Sequence, residues 1–209
     1  MNTIYIATFN QGKLRDFAAA AQIEGVRVEP VPGFASATEV EEDGETFSAN
    51  ARKKAEHYSL LSRGKLVLAD DSGLEVAVIG GAPGVRSARY AAASSDTGNS
   101  SDTANNQKLL AELTRINAHL PAARFVAVIA AALDGKTVAE FTGEVQGRIA
   151  SSPRGTNGFG YDPLFLVEGA GKTMAELSPL EKAALSHRGR AFRRFLEWYR
   201  APGSRFAKL

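Results

Sequence analysis

The chain contains no cysteine, which excludes disulfides, thiolate-held zinc and a sulfur nucleophile. Long apolar runs are missing as well. No window approaches the roughly 20 residues that a membrane span requires, and the opening "MNTIYIATFN" lacks a basic stretch followed by an apolar one. The expectation is a soluble, cytoplasmic protein with no membrane partner. A strong charge of one sign is also absent: 25 Lys and Arg stand against 23 Asp and Glu, a net +2. That field is too weak to favour nucleic acid as a partner, so any anion site must be local. Repeats, low-complexity tracts and clear linkers are missing too, and 209 residues with 44% hydrophobic content suffice for one domain with a sizeable core.

What is present is an alternation of helical and strand patterns. "TIYIATF" (3–9) reads as a strand, "NQG" breaks it, and Leu14, Phe17, Ala18 and Ala21 then recur at helical spacing. From Thr46 to Leu61, an apolar stripe of Phe47, Ala51, Ala55 and Tyr58 has Asn50 and Lys54 beside it. "KLVLA" (65–69) and "LEVAVI" (74–79) read as two strands separated by an Asp-Asp-Ser-Gly turn, with "GGAPG" (80–84) halting the second. Asp102 is placed to cap a helix bearing Leu109, Leu110, Leu113 and Ile116. Asp134-Gly135 joins "RFVAVIAAAL" (124–133) to "KTVAEFTGEV" (136–145) as a hairpin. A long loop, "RGTNGFGYDP" (154–163), leads into the strand-like "LFLV". Ser178, Pro179 and Glu181 form a capping box with Pro at the first helical position. Phe192, Phe195, Leu196 and Tyr199 mark a last helix, with Ser186 as its cap. The expected fold class is α/β, a mixed central β-sheet flanked by helices, in one domain (1–209) of two lobes around an active-site cleft.

Three stretches carry chemistry. In "TFNQGK" (8–13) a strand ends, a glycine allows a tight backbone and Lys13 opens a helix, which suits an anion such as phosphate. It is not a Walker A loop, because position 7 is Ala and Leu14 follows the Lys. The acidic segment "EVEEDGETF" (39–47) and the pair Asp70-Asp71 could together supply the one or two carboxylates that Mg2+ takes beside water and phosphate oxygens. Side chains alternate along a strand, so at most one of the pair should face a given cleft, leaving the other to brace the turn. "PRGTNGFGYDP" (153–163) offers Phe159 and Tyr161 as rings for a nucleobase to stack on. "EKAALSHRG" (181–189) adds Lys182, His187 and Arg188 as donors for phosphate or a purine carbonyl. Taken singly, each stretch also reads as an ordinary turn or a solvated charge cluster, and His57 and His119 read as surface residues.

In order along the chain, "ATFNQGK", "EEDGETFSANARKKA", "ADDSGLEV", "GGAPGVRSARYA", "PRGTNGFGYDP" and "AELSPLEKAALSHRG" resemble the inosine triphosphate pyrophosphatase family, from residue 4 to about residue 195. The resemblance implies hydrolysis of deaminated purine nucleoside triphosphates (ITP, dITP, XTP) to monophosphate and pyrophosphate, with Mg2+ as cofactor, in a homodimer. It implies Glu41 and Asp71 as metal ligands, and Asp71 as proton acceptor for the attacking water. Thr8, Phe9, Asn10, Gln11, Gly12, Lys13 and Ser72 would hold the triphosphate, with Asn50 and Lys54 facing it. Lys13 and Lys54 would stabilise the leaving pyrophosphate. Phe159, Gly160, Tyr161, Asp162, Lys182, His187 and Arg188 would form the base and ribose pocket, with Arg188 or a backbone N–H reading the 6-oxo group. Phe9 stands where some members have Gly, Ala49 where Glu is common, and Arg86 where an aromatic is frequent. Two rivals stay open: a Maf-type pyrophosphatase acting on modified or pyrimidine nucleotides, which should lack the "SHRG" and "GFGYDP" pocket, and a nucleotide-binding protein without turnover, which has no need of paired carboxylates.

Overall fold

The computed structural model describes residues 3–93, 98–204 and 206. Among them, six strands form one mixed sheet: β1 (Thr3–Ile6), β2 (Arg27–Pro30), β3 (Val67–Val76), β4 (Ala122–Leu133), β5 (Lys136–Ile149) and β6 (Phe165–Val167), in the order β2-β1-β3-β4-β5-β6. The first three are mutually parallel and the remaining pairings antiparallel. Among the described residues, five α-helices flank the sheet: α1 (Gln11–Ile23), α2 (Phe47–Ser59), α3 (Asp102–Arg115), α4 (Pro179–Leu185) and α5 (His187–Tyr199). The mixed α/β fold is as the sequence led us to expect.

Period-two alternation builds both faces. Leu66 and Leu68 of the β3 region, with Ala127, Ile129 and Ala131 of β4, join Phe17 of α1 and Phe192 and Phe195 of α5 in one cluster. The intervening Val67, Ala69, Val126, Val128, Ala130 and Ala132 point the other way and pack with Ala51, Ala55 and Tyr58 of α2. Further along the same strands, Leu74, Val76, Phe125 and Val145 meet Leu109 and Leu113 of α3 and the segment around Tyr161–Leu177. Gly143 of β5 lets α5 lie directly on the sheet, since a Cβ there would sit 2.1 Å from the His187 carbonyl oxygen.

Local expectations hold where the turn chemistry is strong. Asp134 and Gly135 have φ of 51° and 81° and close the β4–β5 hairpin. Ser178 with Glu181 forms the capping box of α4, and Ser186 caps α5. Two expectations are corrected. The Asp-Asp-Ser-Gly stretch is not a turn: β3 runs unbroken from Val67 to Val76 and pairs residue by residue with β4, while Ala77–Ile79 is a short 3-10 turn. A full ladder of backbone hydrogen bonds outweighs the turn preference of these residues once cations from the helices meet their carboxylates. The α3 N-cap is Ser101, whose hydroxyl accepts the Ala104 N–H at 3.2 Å, and Asp102 lies in the first turn instead.

Candidate active site

Because β3 is continuous, Asp70 and Asp71 project to opposite faces. Asp70 follows Leu66 and Leu68 onto the α1/α5 face and is held by Lys13 Nζ at 3.2 Å, Arg188 Nε at 3.3 Å and Ser72 Oγ at 3.2 Å. Burial opposes its charge, but Lys13, Arg188 and Lys54 outweigh that and hold the carboxyl well below the usual range. Its Oδ1 is buried without a hydrogen-bond partner. Asp71 follows Val67 and Ala69 onto the α2 face. There Asn50 Nδ2 donates to it at 3.0 Å and Lys54 Nζ lies 3.8 Å away. Only 5% of Asp71 is exposed, and burial, reinforced by Glu42, raises its pKa to about 6 against the pull of Lys54 and Lys13.

The carboxylate that shares Lys54 with Asp71 is Glu42. Glu41 is exposed and makes no hydrogen bond or ion pair among the described residues, whereas Glu42 pairs with Lys54 at 2.9 Å, the same ammonium that lies 3.8 Å from Asp71. The acidic segment has no regular structure and is pinned from several sides. Tyr58 accepts the Val40 N–H, Asn50 Oδ1 accepts the Gly44 N–H, and Arg89 donates to the Glu42 carbonyl at 2.7 Å. Those anchors decide which of two adjacent glutamates turns inward, and nothing local in "EVEEDG" distinguishes them. Burial opposes the charge on Glu42, but Lys54 and Lys13 keep its carboxyl below the ordinary value. Burial also lowers the Lys13 ammonium, while Lys54, equally subject to it, is raised by Asp71, Glu42 and Asp70.

In the 8–13 loop, Thr8 Oγ1 accepts the Asn10 N–H, and Asn10 caps α1 by accepting the Lys13 N–H at 3.0 Å. Gln11 is exposed, and Phe9 stacks on Phe34 with centroids 4.2 Å apart. Gly12 is buried beneath Phe159, where a Cβ would lie 2.4 Å from the ring. Lys182 and Arg188 sit over the same ring at 5.0 and 5.5 Å.

The residues expected to form a base pocket divide. Asp162 is buried, accepts the Phe159 N–H at 2.9 Å and pairs with Lys182 at 2.7 Å, so it shapes the loop from within. Tyr161 is corrected as a stacking face: it is 4% exposed, packs in the α3-side core and donates its hydroxyl to the Ser87 carbonyl. Arg188 is 2% exposed and spends donors on Asp70, Asp16 and Ser72, leaving two of its five N–H groups free of those bonds. Its place in the structure is a tie between α1, β3 and α5. His187 is buried and stacks on Phe125 at 4.8 Å, with Nδ1 unpartnered. Burial, with Arg188 and Lys182 nearby, pushes its pKa well below the usual value. Asp16, which bridges Lys182 at 3.0 Å and Arg188 at 2.6 Å, was not anticipated. The one sequence signal for it is its place three residues after Lys13, on the same helical face.

The Ham1 family model matches residues 4–198. A dITP/XTP pyrophosphatase of Acidobacterium capsulatum is 47% identical over 204 residues, covering 96% of this chain and 98% of that protein. One of Geobacter sulfurreducens is 48% identical over 192 residues, covering 91% and 93%. Among solved structures, a HAM1 protein from Coxiella burnetii aligns with TM-score 0.78 at 38% identity, covering 93% of this chain and 96% of that one. The Staphylococcus aureus Ham1 protein gives 0.74 at 40%, covering 94% and 98%. With the family model spanning nearly the whole chain and relatives this similar over nearly their full lengths, the chain belongs to the Ham1 family.

Proposed function

We propose that this chain hydrolyses deaminated purine nucleoside triphosphates, ITP, dITP and XTP, to the monophosphate and pyrophosphate, with Mg2+ as cofactor. That it is an enzyme of the nucleotide pyrophosphatase kind follows from its family and from the activity named for its relatives. The observation that carries the finer reading is that two carboxylates, Asp71 and Glu42, share the buried Lys54 ammonium, with the half-buried Lys13 acting on both from the first turn of α1. Among the described residues no three His, Asp or Glu side chains form a closed cage. Mg2+ does not need one, since it takes one or two carboxylates and completes its octahedron with water and substrate oxygens. Asp71 and Glu42 are the pair that fits, in place of Glu41. Held there, Mg2+ would act as a Lewis acid on the triphosphate and make a water more acidic.

Asp71, with a pKa near 6, is ionised at neutral pH yet more basic than an ordinary carboxylate, which suits a proton acceptor for the attacking water. Asn50 orients it by donating to Oδ2. Water attacks the α-phosphorus, the bond to the bridging oxygen breaks, and pyrophosphate leaves. Lys13, Lys54 and the N–H groups opening α1 neutralise the charge that accumulates on the leaving group. Phe159 supplies one wall for the base, with its ring held over Gly12. A donor facing the 6-oxo group favours inosine and xanthosine over adenosine. The working form on this reading is a homodimer, for which a sedimentation mass of two chains is the check.

The direct test is incubation with Mg2+ and, separately, ITP, XTP, GTP, ATP and dTTP, with resolution of monophosphate, diphosphate, pyrophosphate and orthophosphate. Monophosphate and pyrophosphate from ITP or XTP, with little from GTP or ATP and none in EDTA, is the expected result. Diphosphate with orthophosphate, or turnover of dTTP alone, would refute it.

A further inference from the structure

The chemistry proposed above makes no use of α3, yet the first turns of that helix reach the loop that carries Phe159. Asp102 Oδ2 accepts the Gly160 N–H at 2.7 Å, and Asn106 Nδ2 donates to the Gly160 carbonyl at 2.9 Å. Residues four apart share a helical face, so one side of α3 grips both backbone groups of a single residue. The Asn106 Oδ1 is buried without a hydrogen-bond partner. An unpaired buried oxygen is costly, and donation to Gly160 is what that amide gains in exchange. Between the two, Asn105 holds another segment in the same manner, accepting the Ala91 N–H at 2.8 Å and donating to the Ala88 carbonyl at 3.2 Å.

Phe159 immediately precedes the gripped residue. Gly158 and Gly160 on either side have φ of 81° and 61°, so the chain passes twice through left-handed geometry in three residues and has no strand or helix to support the ring. Its direction is set by what holds the backbone. Asp162 fixes the Phe159 N–H, and Lys182 fixes Asp162. On the far side, Asp102 and Asn106 hold Gly160. The ring so placed lies against Gly12 and beneath Lys182 and Arg188.

We propose that Asp102 and Asn106 are a pair of positioning residues, a clamp on Gly160 that sets the Phe159 ring against the nucleobase. By this route α3 tunes base affinity without touching substrate. The inference rests on the proposed function, in which Phe159 is a wall of the base pocket.

Kinetics on ITP and XTP test it. Asp102→Ala and Asn106→Leu should each raise KM about fivefold, the scale of one hydrogen bond, with kcat within about twofold. Asp102→Asn keeps an oxygen acceptor for the Gly160 N–H and should restore KM. Asn106→Asp replaces the donor with an acceptor and should not. In a Phe159→Ala background the clamp substitutions should change KM no further, because the ring they place is gone. Unchanged KM in the single variants, or an undiminished effect without the Phe159 ring, would overturn the clamp while leaving the proposed function standing. A wild-type enzyme inactive on every deaminated purine triphosphate would overturn both. Should Asp102→Ala fold poorly, Asn106→Leu carries the test, since it removes an amide that leaves its own oxygen unpaired.

Discussion

Replacing Asp71 with Asn should abolish turnover and at the same time stabilise the fold. The carboxyl is almost wholly buried and its pKa is raised from 3.8 to about 6. A folded-state pKa above the unfolded one means that the folded protein holds the proton more tightly. The associated stability is therefore complete below about pH 4 and is lost as pH rises through 6. A shift of roughly two units at 1.36 kcal/mol each puts the loss at about 3 kcal/mol at pH 7.5. Asn cannot ionise, its oxygen can still accept from Asn50, and Lys54 keeps Glu42 at 2.9 Å. In a chain of 209 residues about 3 kcal/mol corresponds to a Tm increase of about 6–12 °C. Scanning calorimetry in EDTA from pH 4.5 to 8 checks this: the advantage of Asp71→Asn should be small at the acid end, grow toward neutrality and then level off. Mg2+ should raise the wild-type Tm and leave the variant's nearly unmoved. A variant no more stable than wild type at pH 7.5, or an advantage independent of pH, would refute the reasoning.

Glu42→Gln should raise the Mg2+ concentration for half-maximal activity at least tenfold, whereas Glu41→Gln should stay within about twofold of wild type; metal titrations of the two would separate them. Gly12→Ala gains up to about 1 kcal/mol of helix propensity but forces the Phe159 ring to move, because the new Cβ would meet it at 2.4 Å. Steady-state kinetics should show KM raised about tenfold, with Tm unchanged or higher. His187 is buried with its pKa lowered, so the unfolded chain takes up a proton first and stability is lost as pH falls below 6.5. His187→Phe should flatten that decline in Tm between pH 7 and pH 5. Because Asp71 acts with opposite sign over part of the same range, the His187 effect is read from the difference between variant and wild type.

The architecture was legible wherever a residue's role is decided locally. The Asp134-Gly135 hairpin, the Ser178 capping box and the Ser186 cap each rest on a few adjacent residues whose geometry leaves little choice. Roles decided by distant partners were harder to read. The turn expected at Asp70-Asp71 became strand because β4, more than fifty residues on, pairs with every position of β3. Tyr161 looked available for stacking until the fold placed its hydroxyl under the Ser87 carbonyl. Glu41 and Glu42 are chemically identical in sequence, and only Tyr58, Asn50 and Arg89, from two other segments, fix which of them turns toward Lys54.

The same logic explains how two adjacent aspartates can do opposite work. A turn would have left both carboxylates in solvent on one side, with similar pKa values and mutual repulsion. A strand points them to opposite faces of the sheet, so each finds its nearest partners on a different side. On the α1/α5 face Asp70 meets Lys13 and Arg188 and stays charged as their counter-ion. On the α2 face Asp71 meets one ammonium at 3.8 Å that Glu42 also pairs with, and burial leaves it basic. Lys13 acts on both, bonding Asp70 and lowering the pKa of Asp71 and Glu42 from the same position. An anion bound beside Lys13 is therefore felt by Asp71, the proposed proton acceptor, on the opposite face of the strand. A phosphate there would weaken the pull of Lys13 on Asp71 and make it a stronger base once substrate is in place.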